Sequence, residues 1–165
     1  MATHAQREHL ARLMDVLVNH EPQIDYPLHD VRGPKDRETF QLTEAQALAR
    51  LRGGGRLMAD CSGMVTCLCK WAGLDDPNGL RYDHEGYTGT MLAHLPHYRK
   101  PGNAMVGALV VFGPSTGEHV CMVRKPGADP LLFSHGFEGG PLYVKLSAER
   151  TAHRPPVTFL SIAAL

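Results

Sequence analysis

The N-terminal residues Met1–Leu10 lack the apolar core of a signal peptide, and no apolar run approaches the ~18–20 residues of a membrane span. The expectation is a chain made in the cytoplasm, with no membrane partner, that something else must deliver if it acts outside the cell. Neither sign of charge is in excess: Lys plus Arg and Asp plus Glu both number 17, with a sequence pI of about 7.2. That balance excludes the basic footprint of a nucleic-acid binder, and no like-charge block suggests a disordered tail. No His-Glu-x-x-His or paired Cys-x-x-Cys occurs, so no metal site is expected. Gly53-Gly54-Gly55 lacks the Lys-Ser/Thr ending of a phosphate loop, so no nucleotide cofactor is expected either. The four cysteines, Cys61, Cys67, Cys69 and Cys121, are too few for a disulfide scaffold. Cys67 and Cys69 on one helix would point roughly 200° apart, which leaves reduced thiols as the reading. There is no repeat and no low-complexity segment.

What is present is an ordinary core. With 165 residues and a 43% apolar fraction, the chain fits one domain over 1–165. Its texture divides into an N-terminal helical segment (1–56), a central helix with a long loop (57–100) and a β-rich part (107–165). Leu10, Leu13, Met14, Leu17 and Val18 recur at helical spacing, predicting an amphipathic helix over 6–18. Pro22 to Phe40 reads as irregular surface structure. Thr43-x-x-Gln46 resembles a capping box for a helix over 44–51. Met64, Val65, Leu68, Cys69 and Ala72 predict a buried helix beginning at Cys61 and stopped by Gly73, with Trp71 in the core. Residues 75–90 form a turn-rich loop of a length that is often functional, before a short helix around 88–95. Five Val/Phe/Leu runs then follow, at 107–113, 118–125, 130–136, 141–146 and 156–162. Short turns between them predict an antiparallel sheet of about five strands and an α+β domain. Of the ten histidines, His4, His9, His20, His29 and His153 sit in polar or terminal contexts and read as solvated.

The chemistry concentrates on three side chains. Cys61 stands where a loop becomes a helix, so unpaired N–H groups and the positive end of the helix dipole favour a thiolate there. Gly63 leaves room for a substrate backbone beside the first turn. His119 opens the second strand and His135 closes the third. If these strands pair through the Pro126-Gly127 turn, both imidazoles reach one sheet edge, where the helix can present its sulfur. Nucleophile, base and base-orienting group would then be assembled.

Asp60-Cys61-Ser62-Gly63 before an apolar helix, Gly107-Ala108-Leu109-Val110-Val111-Phe112, Gly117-Glu118-His119-Val120 and Phe133-Ser134-His135, in that order, resemble the NlpC-like cell-wall cysteine peptidases of the papain-like superfamily. The resemblance covers about residues 57–146. It implies a cysteine peptidase that hydrolyses stem-peptide bonds of bacterial peptidoglycan, with Cys61 as nucleophile, His119 as base and His135 as the third, orienting residue. Asp60, Ser62 and Tyr26 would bind the amino end of the stem peptide, Ser62 alternatively serving only as a helix cap. No cofactor or metal is implied. The chain departs from the family at Ala108, usually acidic, and at Cys121-Met122, usually Gly-Ile/Val. The usual Tyr-x-x-Gly-Gly element before the cysteine is missing, and Tyr26 is its nearest counterpart. The 75–90 loop suggests a phage-type member, either a lysis enzyme or a virion component with other tail proteins as partners. Two further readings stay open: a structural tail subunit with little activity, whose apolar terminal run Phe159–Leu165 docks on a partner, and an intracellular amidase or processing peptidase.

Overall fold

The computed structural model describes residues 2–27, 34–98, 104–136 and 139–162. His29, part of the Pro22–Phe40 stretch and residues 163–165 of the terminal run lie outside them.

Helix α1 (His4–Asn19) begins at a capping box in which Thr3 and Gln6 satisfy each other's backbone N–H. It buries Leu10, Leu13, Met14 and Leu17, the stripe that its periodicity predicts. Its outer edge is tied to the sheet: Asp15 accepts two bonds from the Arg124 guanidinium at 3.0 and 2.9 Å and one from the Tyr143 hydroxyl. Strand β1 (Ile24–Asp25) follows. Helix α2 (Pro34–Gln41) occupies part of the stretch expected to be irregular; Pro at its first position suits a helix start. Helix α3 (Glu44–Arg52) opens on the predicted Thr43–Gln46 capping box.

Strand β2 (Leu57–Met58) pairs in parallel with β1, setting Ile24 beside Leu57 and Asp25 beside Met58. This short ladder returns the chain to its N-terminal part after the excursion through α2 and α3. Helix α4 (Cys61–Trp71) buries all its residues but Lys70. Trp71 is 8% exposed and donates to the Leu42 carbonyl at 3.0 Å, a core tryptophan with its polar edge satisfied.

The loop after α4 is organised by one buried carboxylate. Asp76 accepts from the backbone N–H groups of Asn78, Leu80 and Tyr82, each at 2.9 Å. Asn78 in turn donates to Thr66 on α4 at 3.0 Å, which seats the loop on that helix. Helix α5 (Thr88–His94) and the two-residue strand β3 (His97–Tyr98) complete this part.

Strands β4 (Leu109–Phe112), β5 (His119–Lys125), β6 (Leu131–Gly136), β7 (Gly139–Lys145) and β8 (Val157–Leu160) are the five expected runs. With β3 at one edge they form a six-stranded antiparallel sheet in the order β3-β8-β4-β5-β6-β7. Helix α6 (Leu146–Ala152), which the sequence reading did not anticipate, bridges β7 and β8.

Strand alternation then divides the core. Leu109, Val111, Val120, Met122 and Phe133 face α1 and α4, whereas Val110, Phe112, Cys121, Val123 and Leu132 share a second cluster with Leu146 of α6. The α+β layout, with the cysteine-headed helix packed on an antiparallel sheet, is the one expected. Among the described residues, no helix is long and apolar enough to cross a membrane.

Candidate active site

Asp60 is the N-cap of α4. Its Oδ1 accepts from the Gly63 backbone N–H at 2.6 Å and from the Ser62 hydroxyl at 2.9 Å. The cap therefore comes from Asp60, and Ser62, only 4% exposed, braces it. Gly63 serves the same cap, because a Cβ there would lie 3.2 Å from Asp60 Oδ1, closer than side chains ordinarily pack. Cys61 occupies the first helical position, where its backbone N–H has no intrahelical acceptor. Its side chain is 6% exposed.

Tyr26 reaches this point through the β1–β2 ladder, which the Ala59 N–H extends by donating to the Asp25 carbonyl at 3.2 Å. The phenol lies within hydrogen-bonding reach of Cys61; burial and then the neighbouring Cys61 push its ionisation well above the usual tyrosine range. So the residue matched to the family's missing element stands beside the nucleophile candidate, despite the helices inserted between them.

His119 begins β5 and is 3% exposed, at the same end of the sheet as Phe112 and Ser134. Cys61 is close enough to raise its pKa. Its Nε2 is 2.9 Å from Ser134 Oγ and 3.2 Å from Glu149 Oε1, and the Ser134 hydroxyl donates to the same carboxylate oxygen at 2.8 Å. With Ser134 thus donating, Nε2 carries the proton of the neutral ring and donates to the hydroxyl. The ring stacks on His153, at 4.4 Å between centroids and 14° between planes, and Phe112 packs against both rings.

Electrostatics follow from these contacts. Burial alone would lower the His119 pKa, but Cys121, Cys61 and Glu149 outweigh it and hold the imidazolium well above the ordinary histidine range. Burial raises the Cys121 thiol while His119 opposes that rise, and Glu149 supplies a carboxylate partner to the ring on the same side. Glu149 opposes its own burial through His119, Ser134 and His153 and is held down at about 2.

No protein-family model matches this chain, and no curated protein matches it in sequence. A solved structure, the peptidoglycan hydrolase RipB from Mycobacterium tuberculosis, is similar to it. The TM-score is 0.49 and the identity 20%, covering 99% of this chain and 70% of that one.

His135 does not meet His119 through a hydrogen bond. Its Nε2 donates instead to the Ala59 carbonyl at 2.7 Å, and its ring packs edge-on against Tyr26 with centroids 5.3 Å apart. Burial lowers its pKa, so it is neutral at neutral pH.

The reason is one extra residue. Lys125 pairs with Leu131, but the ladder then shifts, so that Val123 pairs with Leu132 and Met122 with Phe133. Continued, this register sets Ser134 opposite Cys121, on the face of His119, and turns His135 to the α4 face. An unbulged hairpin would have exchanged the two.

Sequence reasoning missed Ser134, Glu149 and His153 as neighbours of His119. His153, read as solvated, has a side chain only 15% exposed and stands 3.4 Å from Glu149 Oε1. The available signal was Glu149-x-x-x-His153, an i,i+4 pair on an unrecognised helix. Ligand atoms of His119, Cys121 and Glu149 also lie within 4.8 Å of one another, a donor set that could hold a metal ion.

Proposed function

We propose that this chain is a cysteine endopeptidase that hydrolyses peptide bonds in the stem peptides of bacterial peptidoglycan. One arrangement supports the chemistry: Cys61 heads a buried helix and is close enough to raise the pKa of His119, whose Nε2 is held by a hydroxyl and a carboxylate. The substrate class rests on the Asp60-Cys61-Ser62-Gly63 box and the ordered strand motifs after it.

In this reading His119 Nδ1, the remaining ring nitrogen, takes the Cys61 proton, and Glu149 with Ser134 stabilises the imidazolium through Nε2. The thiolate attacks the peptide carbonyl carbon, and the Cys61 backbone N–H donates to the oxyanion. His119 protonates the leaving amine. A water molecule, deprotonated by the same ring, then cleaves the thioester and regenerates the thiol. We assign Asp60 and Tyr26, both partly exposed beside Cys61, to the amino end of the substrate, and Ser62 to the support of Asp60. His135 fixes the Ala59 carbonyl immediately before this box. The phage lysis or virion role rests on the sequence of the 75–90 loop.

The test is digestion of purified peptidoglycan, with new amino groups and fragment masses as readouts. Wild-type protein should release peptides cut at one bond, and Cys61→Ala should fall to background with its fold unchanged. Normal cleavage by Cys61→Ala would overturn the mechanism. Inert peptidoglycan together with cleavage of a protein substrate would replace the substrate class.

A further inference from the structure

Behind the His119 imidazole lies a knot of donors that the proposed reaction uses only in part. Glu149 Oε1 is its hub, 3.2 Å from His119 Nε2, 3.5 Å from Cys121 Sγ and 3.4 Å from His153 Nε2. Zinc bonds of about 2.0–2.3 Å place neighbouring donors of a tetrahedron roughly 3.3–3.8 Å apart. The spacings from Glu149 to His119 and to Cys121 approximate those edges, and the three ligand atoms all lie within 4.8 Å of one another. The Ser134 hydroxyl, bonded to both His119 and Glu149, fills the position a cation would displace.

Donor chemistry narrows the choice of cation. A thiolate, an imidazole and a carboxylate suit zinc and its softer congener cadmium, whereas magnesium and calcium prefer all-oxygen shells. Cys121 is the decisive member. Its Sγ lies 3.5 Å from Glu149 Oε1 and within 4.8 Å of the His119 ligand atom. No sequence motif announces the set, because β5 supplies two members and α6 the third.

We propose that His119, Cys121 and Glu149 form an inhibitory binding site for zinc and related thiophilic divalent cations. Resting on the peptidase reading, the consequence is direct. A cation on His119 Nε2 removes the N–H that Glu149 and Ser134 receive and prevents the ring from becoming an imidazolium. Cys121 and the cation's ligand shell exchange one thiol proton for the metal–sulfur bond, with no redox change.

Binding is tested apart from catalysis, in full-length Cys61→Ala protein titrated with cadmium and read by thiolate-to-metal charge-transfer absorbance. One equivalent should develop the band, and zinc should displace it and raise the melting temperature. In Cys61→Ala/Cys121→Ala, or in the near-isosteric Cys61→Ala/Cys121→Ser, both signals should vanish. No band in the Cys61→Ala protein, or a band that survives loss of Cys121 in a folded double variant, overturns the proposal. In the cleavage assay, with each protein scaled to its own metal-free rate, Cys121→Ala should need at least about 10-fold more zinc for half-inhibition than wild type. Unchanged zinc sensitivity there would place the inhibitory ion on Cys61 and overturn the regulatory claim. A chain without peptidase activity would still give the cadmium result, so the two readings fail separately.

Discussion

His119 and His135 stand at the same end of the sheet, yet their partners assign them different work, and substitution should separate them. Glu149→Gln keeps the shape of the carboxylate but removes the charge that sustains the His119 imidazolium. We expect the cleavage rate to fall by about 100-fold, as loss of an acid–base group's orientation and charge commonly does. The limb of the pH–rate profile that belongs to His119 should move to lower pH. His135→Asn leaves that charge in place and loosens the Ala59 anchor instead. Its activity should fall less, with the same pH limb. If His135→Asn moved the limb and Glu149→Gln did not, the orienting role would return to His135. The sequence resolved this pair only halfway. The order and strand-end positions of Cys61, His119 and His135 were legible, but strand parity depended on a bulge near Arg124 that leaves no compositional trace. Glu149 and His153 were illegible for another reason: a helix of barely two turns after β7 carries too few apolar positions for a periodic signal.

Among the elements, the long-range patterns were readable and the short ones were not. The helices α1, α3, α4 and α5 and the runs β4–β8 follow their apolar periodicity. The two-residue strands β1, β2 and β3 are too short for any pattern to exist. Yet β1 and β2 are what bring Tyr26 to Cys61, so part of the site depends on elements that only tertiary pairing defines. The loop after α4 is another such element, and its order comes from Asp76 rather than from an apolar core of its own. Asp76→Ala strands three backbone N–H donors whose carboxylate acceptor is lost. Each unsatisfied buried group costs about 1–3 kcal/mol, and water can satisfy part of the set, so a net loss of about 3 kcal/mol is expected. Hydrogen exchange should quicken across residues 78–85 while α4 stays protected. Uniform acceleration through α4 as well would mean that the loop and helix open as one unit.

For the molecule as a whole, the two buried histidines bound the pH range of greatest stability from opposite sides. The folded-state pKa of His119 is raised, so its contribution is complete below about pH 6.5 and is lost as pH climbs through the raised value. The pKa of His135 is lowered, so its contribution is complete above about pH 6.5 and is lost as pH falls through the lowered value. Glu149, held at about 2, contributes fully above the ordinary glutamate range and fails only in strong acid, outside this window. The buried thiols of Cys67, Cys69 and Cys121 have raised pKa values, so their effect begins only near pH 9. Denaturant unfolding measured from pH 5 to 8.5 should therefore give a maximum near pH 6.5, with each flank traceable to one imidazole. His135→Asn should flatten the acid flank and leave the alkaline one, and His119→Gln should do the reverse. A wild-type curve that rises steadily to pH 8.5 would contradict the imidazolium assigned to His119, and with it the charge pairing on which the proposed base depends.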